Sequence, residues 1–138
     1  MRIRHIAIAA SLLTLLSACA GFQPKTDVEV VKALSQQRMD ALVAQDMEEA
    51  YSLMSPGYRA SNNLERFKRT VGVGAARLNS ADARTVSCEE DACKVLVYAN
   101  YYFPDSKMTE LKDAPTFERV NEEKWIRLDG KWWFFSLK

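Results

Sequence analysis

Apolar residues recur at helical spacing from Asp27 to Gln45. At about 100° per residue, Val28, Val30, Val31, Leu34, Met39, Ala41 and Leu42 gather on one side of the helix; Glu29, Lys32, Gln36, Gln37 and Asp40 take the other. Asp27 stands where an N-cap is wanted. Asp46 with Glu49 reads as a capping box for a second helix, in which Met47, Ala50, Tyr51 and Met54 repeat until Ser55-Pro56-Gly57 stops it. Asn62 with Glu65 opens a third, short helix carrying Leu64, Phe67 and Val71 and closing at Gly72. Val73 to Ala81 has no clean period and reads as loop or strand. From Ala83 the period drops to two. Ala83–Cys88 and Cys93–Phe103 predict one hairpin, Pro104–Pro115 a polar loop, and Phe117–Leu128 with Lys131–Leu137 a second hairpin around Asp129-Gly130. Helices followed by an antiparallel meander predict an α+β domain over residues 27–138, three N-terminal helices packed on a bent sheet.

The N-terminus follows another pattern. Arg2, Arg4 and His5 precede an uncharged run from Ile6 to Ser17, which ends in small residues. A basic start, a short apolar stretch and small residues before a cut describe a secretory signal over residues 1–18. The run is shorter than the roughly 20 residues that a spanning helix needs, which argues against a transmembrane anchor. Leu16-Ser17-Ala18-Cys19 closely resembles the lipobox of bacterial lipoproteins. The resemblance implies cleavage before Cys19, a diacylglyceryl group on its thiol and acylation of the new amine. Residues 19–26 then form the lipidated terminus and tether, and the membrane is a partner through that anchor. Ala20 is not the aspartate that holds such proteins at the inner membrane, so the resemblance implies the periplasmic face of the outer membrane.

Export changes how the cysteines and charges read. With Cys19 assigned to lipid, Cys88 and Cys93 remain, flanking Glu89-Glu90-Asp91-Ala92 between strand-like segments. A four-residue hairpin loop would set them opposite each other, and an oxidising compartment would join them as a disulfide. Spacing of four, with no other cysteine or mature histidine, argues against a redox pair or metal site. The chain has 19 basic and 18 acidic residues; removal of Arg2 and Arg4 leaves 17 against 18, a balance of −1. Such a surface lacks the basic footprint that nucleic-acid binding requires.

The segments Gln37-Arg38-Met39-Asp40-Ala41-Leu42, Ala50-Tyr51, Ser55-Pro56-Gly57-Tyr58-Arg59, Val86-Ser87-Cys88 and Lys131-Trp132-Trp133 resemble the nuclear-transport-factor-2-like superfamily of small cone-shaped proteins. The resemblance implies a bent sheet wrapped around helices, with a pocket at the open end of the cone. In that superfamily the pocket is sometimes catalytic, as in ketosteroid isomerase and scytalone dehydratase, and often a binding or dimerisation module.

The sole histidine, His5, lies in the signal, so nucleophilic triads and the usual zinc sites are excluded from the mature chain. No phosphate-cradling loop follows Gly72-Val73-Gly74, and Glu89-Glu90-Asp91 lacks the spaced ligands of a calcium loop. The reading is therefore a non-catalytic envelope module without cofactor, which binds a partner protein or a small apolar ligand. The alternatives are a cofactor-free isomerase or dehydratase working through carboxylates and tyrosines, and an assembly subunit of an envelope complex. Arg38, Tyr51, Tyr58 and Arg59 are the pocket candidates. Arg38 projects amid Val31, Leu34 and Leu42, where it either binds an anion inside the cone, pairs with a carboxylate such as Glu49, or extends its head to water. Alternation puts Trp132 and Phe134 on one face of the last strand and Trp133 and Phe135 on the other, with Tyr98 and Tyr102 on a second apolar face of an earlier strand. These six are the interface candidates, for a homodimer or an envelope partner docked on the sheet.

Overall fold

The computed structural model describes residues 25–104 and 114–136. The signal segment, Cys19, most of the tether and the centre of the Pro104–Pro115 loop lie outside the described residues. Four helices precede four strands: α1 (Asp27–Val43), α2 (Met47–Ser52), α3 (Pro56–Ser61), α4 (Leu64–Thr70), β1 (Arg77–Glu89), β2 (Ala92–Tyr102), β3 (Thr116–Leu128) and β4 (Lys131–Phe135). The strands form one antiparallel sheet in sequential order, β1-β2-β3-β4. The architecture is α+β, with α1 packed chiefly against β1.

Three helix boundaries correct the sequence expectations. Thr26, not Asp27, caps α1: its hydroxyl accepts from the Glu29 N–H at 3.3 Å while the Glu29 carboxylate accepts from the Thr26 N–H at 2.8 Å. Ser55-Pro56-Gly57 opens a helix instead of only ending one, so four helices replace the expected three. The Ser55 hydroxyl accepts from the Tyr58 N–H, and Pro56 at the first helical position has no donor to leave unpaired. Asn63, rather than Asn62, then caps α4.

The first strand starts earlier than alternation suggests. Leu78, Ala81, Ala83, Val86 and Cys88 all pack toward the core, a spacing of three, two, three and two. Register shifts between Leu78 and Ser80 and between Ala83 and Thr85 add a residue each, which advances the phase and bends the strand. A search for strict alternation loses the strand before Ala83. The Asp129-Gly130 turn is as expected: both residues have positive φ, 51° and 74°, between the paired Leu128 and Lys131.

Cys88 and Cys93 face each other across β1 and β2 with Cα atoms 4.0 Å apart and are joined by a disulfide. The connection between the strands is tighter than the four-residue loop expected: Glu89 pairs with Ala92, leaving Glu90 (φ 50°) and Asp91 as the turn. The bond closes a small loop, so its chain-entropy contribution is about 2 kcal/mol. Reduction should lower stability by that amount in urea unfolding and leave the fold intact; collapse of the fold on reduction would contradict it.

Beside this turn Arg127 ties three elements together. Its Nε donates to Asp91 at 2.7 Å and its Nη1 to both carboxylate oxygens of Asp27 at 3.0 and 3.1 Å, and its guanidinium lies over the Trp132 ring. The start of α1 is thus fixed to the hairpin end of the sheet. At the other end of the helix layer, the Ser55 N–H donates to the Phe134 carbonyl and the Phe134 N–H to the Leu53 carbonyl, both at 2.9 Å. These bonds hold β4 and the Phe134 ring beneath the helices.

A buried ion pair and the hollow beside it

On α1, Val31, Ser35, Arg38 and Leu42 follow one another at spacings of three and four, a single stripe facing the sheet. Ser35 is fully buried and Arg38 is only 7% exposed. On the same face of β3, Asn121, Glu123 and Trp125 stand two apart along the strand; Trp125 is fully buried and Glu123 is 4% exposed. The two stripes meet at one carboxylate. Arg38 Nη1 donates to Glu123 Oε1 at 2.6 Å, while Ser35 Oγ and Trp125 Nε1 donate to Oε2 at 2.7 and 2.9 Å.

The position of the pair explains its survival in the interior. Burial pushes the Arg38 guanidinium below its ordinary value, and the Glu123 carboxylate opposes that shift by attraction and by hydrogen bonding. Arginine stays cationic through any such shift. The Phe134 ring lies 3.7 Å from the guanidinium carbon and supplies a further favourable surface for a cation. Trp125 meets Phe134 edge-on at 5.8 Å, so the acceptor, its donors and the supporting ring form one packed unit.

A hollow of about 300 Å³ lies beside this unit, at the C-terminal end of α1. Met39, Leu42, Leu78 and Phe134 supply apolar walls, and Arg38 and Glu123 supply the charge. At its polar side Asn121 Nδ2 donates to the Tyr101 hydroxyl at 3.1 Å. A second hollow of about 430 Å³ shares Arg38, Val71 and Phe134 with the first and is lined beyond them by Met54, Tyr58 and Phe67. Arg38 and Phe134 thus stand between the two.

The sequence-predicted residues are distributed around this arrangement. Arg38 is at its centre, but its partner is Glu123; Glu49, the carboxylate suggested from the sequence, accepts instead from Gln37 Nε2. Tyr58 lines the second hollow and meets Phe67 edge-on at 6.3 Å. Tyr51 lines neither hollow; its hydroxyl donates to the Asn62 carbonyl at 2.9 Å. Arg59 stacks over Trp133, 5.0 Å from the ring centre, away from the pair. Of the interface candidates, Trp132 and Phe134 belong to the inner packing, and the Trp132 indole donates to Asp27. Tyr98, Tyr102, Trp133 and Phe135 are on the outer face, as register with Val120, Thr116, Ile126 and Lys124 requires, and Arg84 covers the Tyr98 ring at 4.1 Å.

Glu123 is the residue that sequence reasoning missed. It stands in Glu122-Glu123-Lys124, a run that reads as solvated. Its one signal is phase, since it lies two residues before Trp125 on the same strand face.

A scan against protein-family models gives no match to the chain. A search of curated proteins gives none either. Among solved structures the chain is similar to the solution structure of a SEC-C motif containing protein from Rhodopseudomonas palustris, with a TM-score of 0.57 and 13% identity over 75% of this chain and 73% of that one. At this identity the likeness concerns the fold alone, helices against an antiparallel sheet.

Proposed function

We propose that the chain is a lipid-anchored envelope protein, exported and held through Cys19 at the periplasmic face of the outer membrane, whose domain is a non-catalytic binding module of the cone-shaped nuclear-transport-factor-2-like kind. The signal and lipobox residues support the address, and the bulged, bent β1 under helices supports the cone. The observation that carries the function is the hollow of about 300 Å³ with apolar walls beside two charges that neutralise each other. A general base needs a lone pair free to take a substrate proton. The carboxylate of Glu123, buried among the described residues, already accepts from Ser35, Arg38 and Trp125, which engages both of its oxygens and three of its roughly four acceptor sites. That arrangement favours holding a ligand over moving protons.

The full chain purified from its native envelope should carry a small apolar molecule that organic extraction and mass spectrometry detect near stoichiometrically. Leu78→Trp, which fills the hollow, should lose it. Equal recovery from both proteins, or none from either, would overturn the reading.

The outer face of the sheet supports a second binding role. Val120 is 51% exposed there, beside the half-buried Tyr98, Ile126, Trp133 and Phe135. Full burial of such a side chain is worth roughly 1.5–3 kcal/mol, and covering the part still exposed contributes a fraction of that for each, which favours a second copy or an envelope protein on this face. Sedimentation equilibrium at tens of micromolar should show a dimer that Val120→Lys dissociates; a monomer throughout removes the homodimer.

A further inference from the structure

The two hollows differ in charge. The first has Glu122 and Glu123 in its wall beside Arg38. The second is bordered by Arg38 and Arg66, and no carboxylate is among its described lining residues. Glu123 balances Arg38, so the charge left over is that of Arg66. Arg66 makes no ion pair among the described residues; on its own helix Glu65 pairs with Lys68 at 3.9 Å instead. Arg66 and Thr70 stand four apart on α4, which sets both at this hollow. A second donor is unspent: Tyr58 is bonded through its backbone N–H and carbonyl but, among the described residues, not through its hydroxyl. Arg38 adds a third. Its Nη1 holds Glu123 and its Nε is enclosed, but Nη2 is neither bonded nor enclosed among the described residues. Donors around an uncompensated positive charge ask for an anionic acceptor. Behind them Met54, Phe67, Val71 and Phe134 form an apolar wall, so that anion needs an apolar body.

We propose that the second hollow binds a small apolar monocarboxylate, with its body against Met54, Phe67 and Phe134 and its carboxylate on Arg66 and the Tyr58 hydroxyl. This site is separate from the first hollow, where the binding reading above places its ligand. Charge balance selects the head group. One uncompensated guanidinium matches one negative charge, whereas a phosphate monoester brings nearly two. A cation would face Arg66 with no carboxylate in the wall to hold it, and an uncharged head would leave Arg66 as it stands in water. Because Arg66 is exposed, its attraction is screened; the apolar wall supplies most of the affinity and the charge supplies the selectivity. The volume of about 430 Å³ lies within the range of ligand pockets and holds two fused rings.

Three probes of nearly equal shape separate the possibilities: 2-naphthoate with an anionic head, 2-naphthamide with a neutral one and 2-naphthamidinium with a cationic one. Each is titrated into the full chain in phosphatidylcholine nanodiscs with its methionine methyls carbon-13 labelled, and free probe is measured against empty nanodiscs. Met54 lines the second hollow and Met39 and Met47 the first, so the methyl shifts locate each probe as well as count it. 2-Naphthoate should shift Met54 with a Kd about fivefold tighter than 2-naphthamide, the upper end for an exposed ion pair, and added salt should narrow that gap. 2-Naphthamidinium should bind more weakly than either. Arg66→Gln removes the charge at an exposed position, so the domain stays folded, and it should erase the preference for 2-naphthoate; Arg66→Lys should keep most of it. Equal affinity of 2-naphthoate and 2-naphthamide for the unaltered chain would overturn the proposal, as would a preference that survives Arg66→Gln. Shifts at Met39 and Met47 alone would also overturn it, while leaving the binding reading at the first hollow standing. Absence of any Met54 shift with all three probes would remove the second hollow as a site.

Discussion

Glu123→Ala should destabilise the domain by about 3–5 kcal/mol, the range measured when one partner of a buried ion pair is removed. The alanine leaves the Arg38 guanidinium buried beside Phe134 with no counter-charge and deprives Ser35 Oγ and Trp125 Nε1 of their acceptor. The loss is therefore a desolvation penalty rather than the net value of the pair. Removing both charges should do less harm than removing one: Arg38→Met with Glu123→Leu keeps the volume apolar and leaves only the serine hydroxyl and the indole N–H to repair. A double-mutant cycle by urea unfolding should return a coupling on the order of 1–3 kcal/mol. Glu123→Gln retains an acceptor for one or two of the three donors and should fall between the wild type and the alanine variant. A loss below about 1 kcal/mol in Glu123→Ala would mean that the guanidinium reaches water without its partner, and the neutral-pair account of the hollow would fail with it.

The elements that the sequence made legible are those in which local chemistry and packing agree. The Asp129-Gly130 turn needs two residues at positive φ, and that pair supplies them without a competing option. The stripe on α1 is legible in part: Val31, Met39 and Ala41 are buried as the helical spacing predicts, while Val28 on the same side is 42% exposed and Ser35 and Arg38 are buried. The misread elements are those in which an apparent stop is a start, or in which phase slips. Pro56 reads as a terminator after Met54, yet behind a Ser55 cap the same residue opens α3. The bulges near Asn79 and Arg84 turn a strand with a continuous inward face into a segment without a period.

The ion pair illustrates a different limit. Arg38 was visible because a charge interrupts an apolar helical stripe, but β3 carries charged residues on both faces: Arg119 and Glu123 toward the helices, Glu118, Glu122 and Lys124 away from them. Alternation then says which residues share a face without saying which face is buried. Only the register with β2, which puts Glu123 opposite the fully buried Val95, places that carboxylate inside. Burial of a polar strand face is a tertiary fact, and no local pattern encodes it.

Cys19→Ala should abolish lipidation and normal processing while leaving the domain unchanged. On the lipoprotein reading, the thiol of Cys19 is the atom that receives lipid, and alanine offers no nucleophile, so the chain should accumulate as an uncleaved precursor or appear in the soluble fraction. Acyl chains hold a protein to a bilayer at about 0.8 kcal/mol per buried CH₂, so two or three chains give an attachment that washing does not reverse, and the change in fractionation should be nearly complete. Labelled palmitate should enter the wild type and not the variant, and globomycin should make the wild type resemble the precursor. The domain has no reason to respond. Its α1 begins at Asp27, which Arg127 and Trp132 fix to the sheet, and the hollow lies near Leu42, about 22 Å away at 1.5 Å per residue along the helix. On the lipoprotein reading the lipid joins the chain eight residues before Asp27, at the end of α1 farther from Leu42. Urea unfolding and probe binding should accordingly be the same with and without the lipid. Normal processing and membrane retention of Cys19→Ala would sink the anchor, and loss of probe binding in a correctly folded variant would show that lipid and hollow communicate.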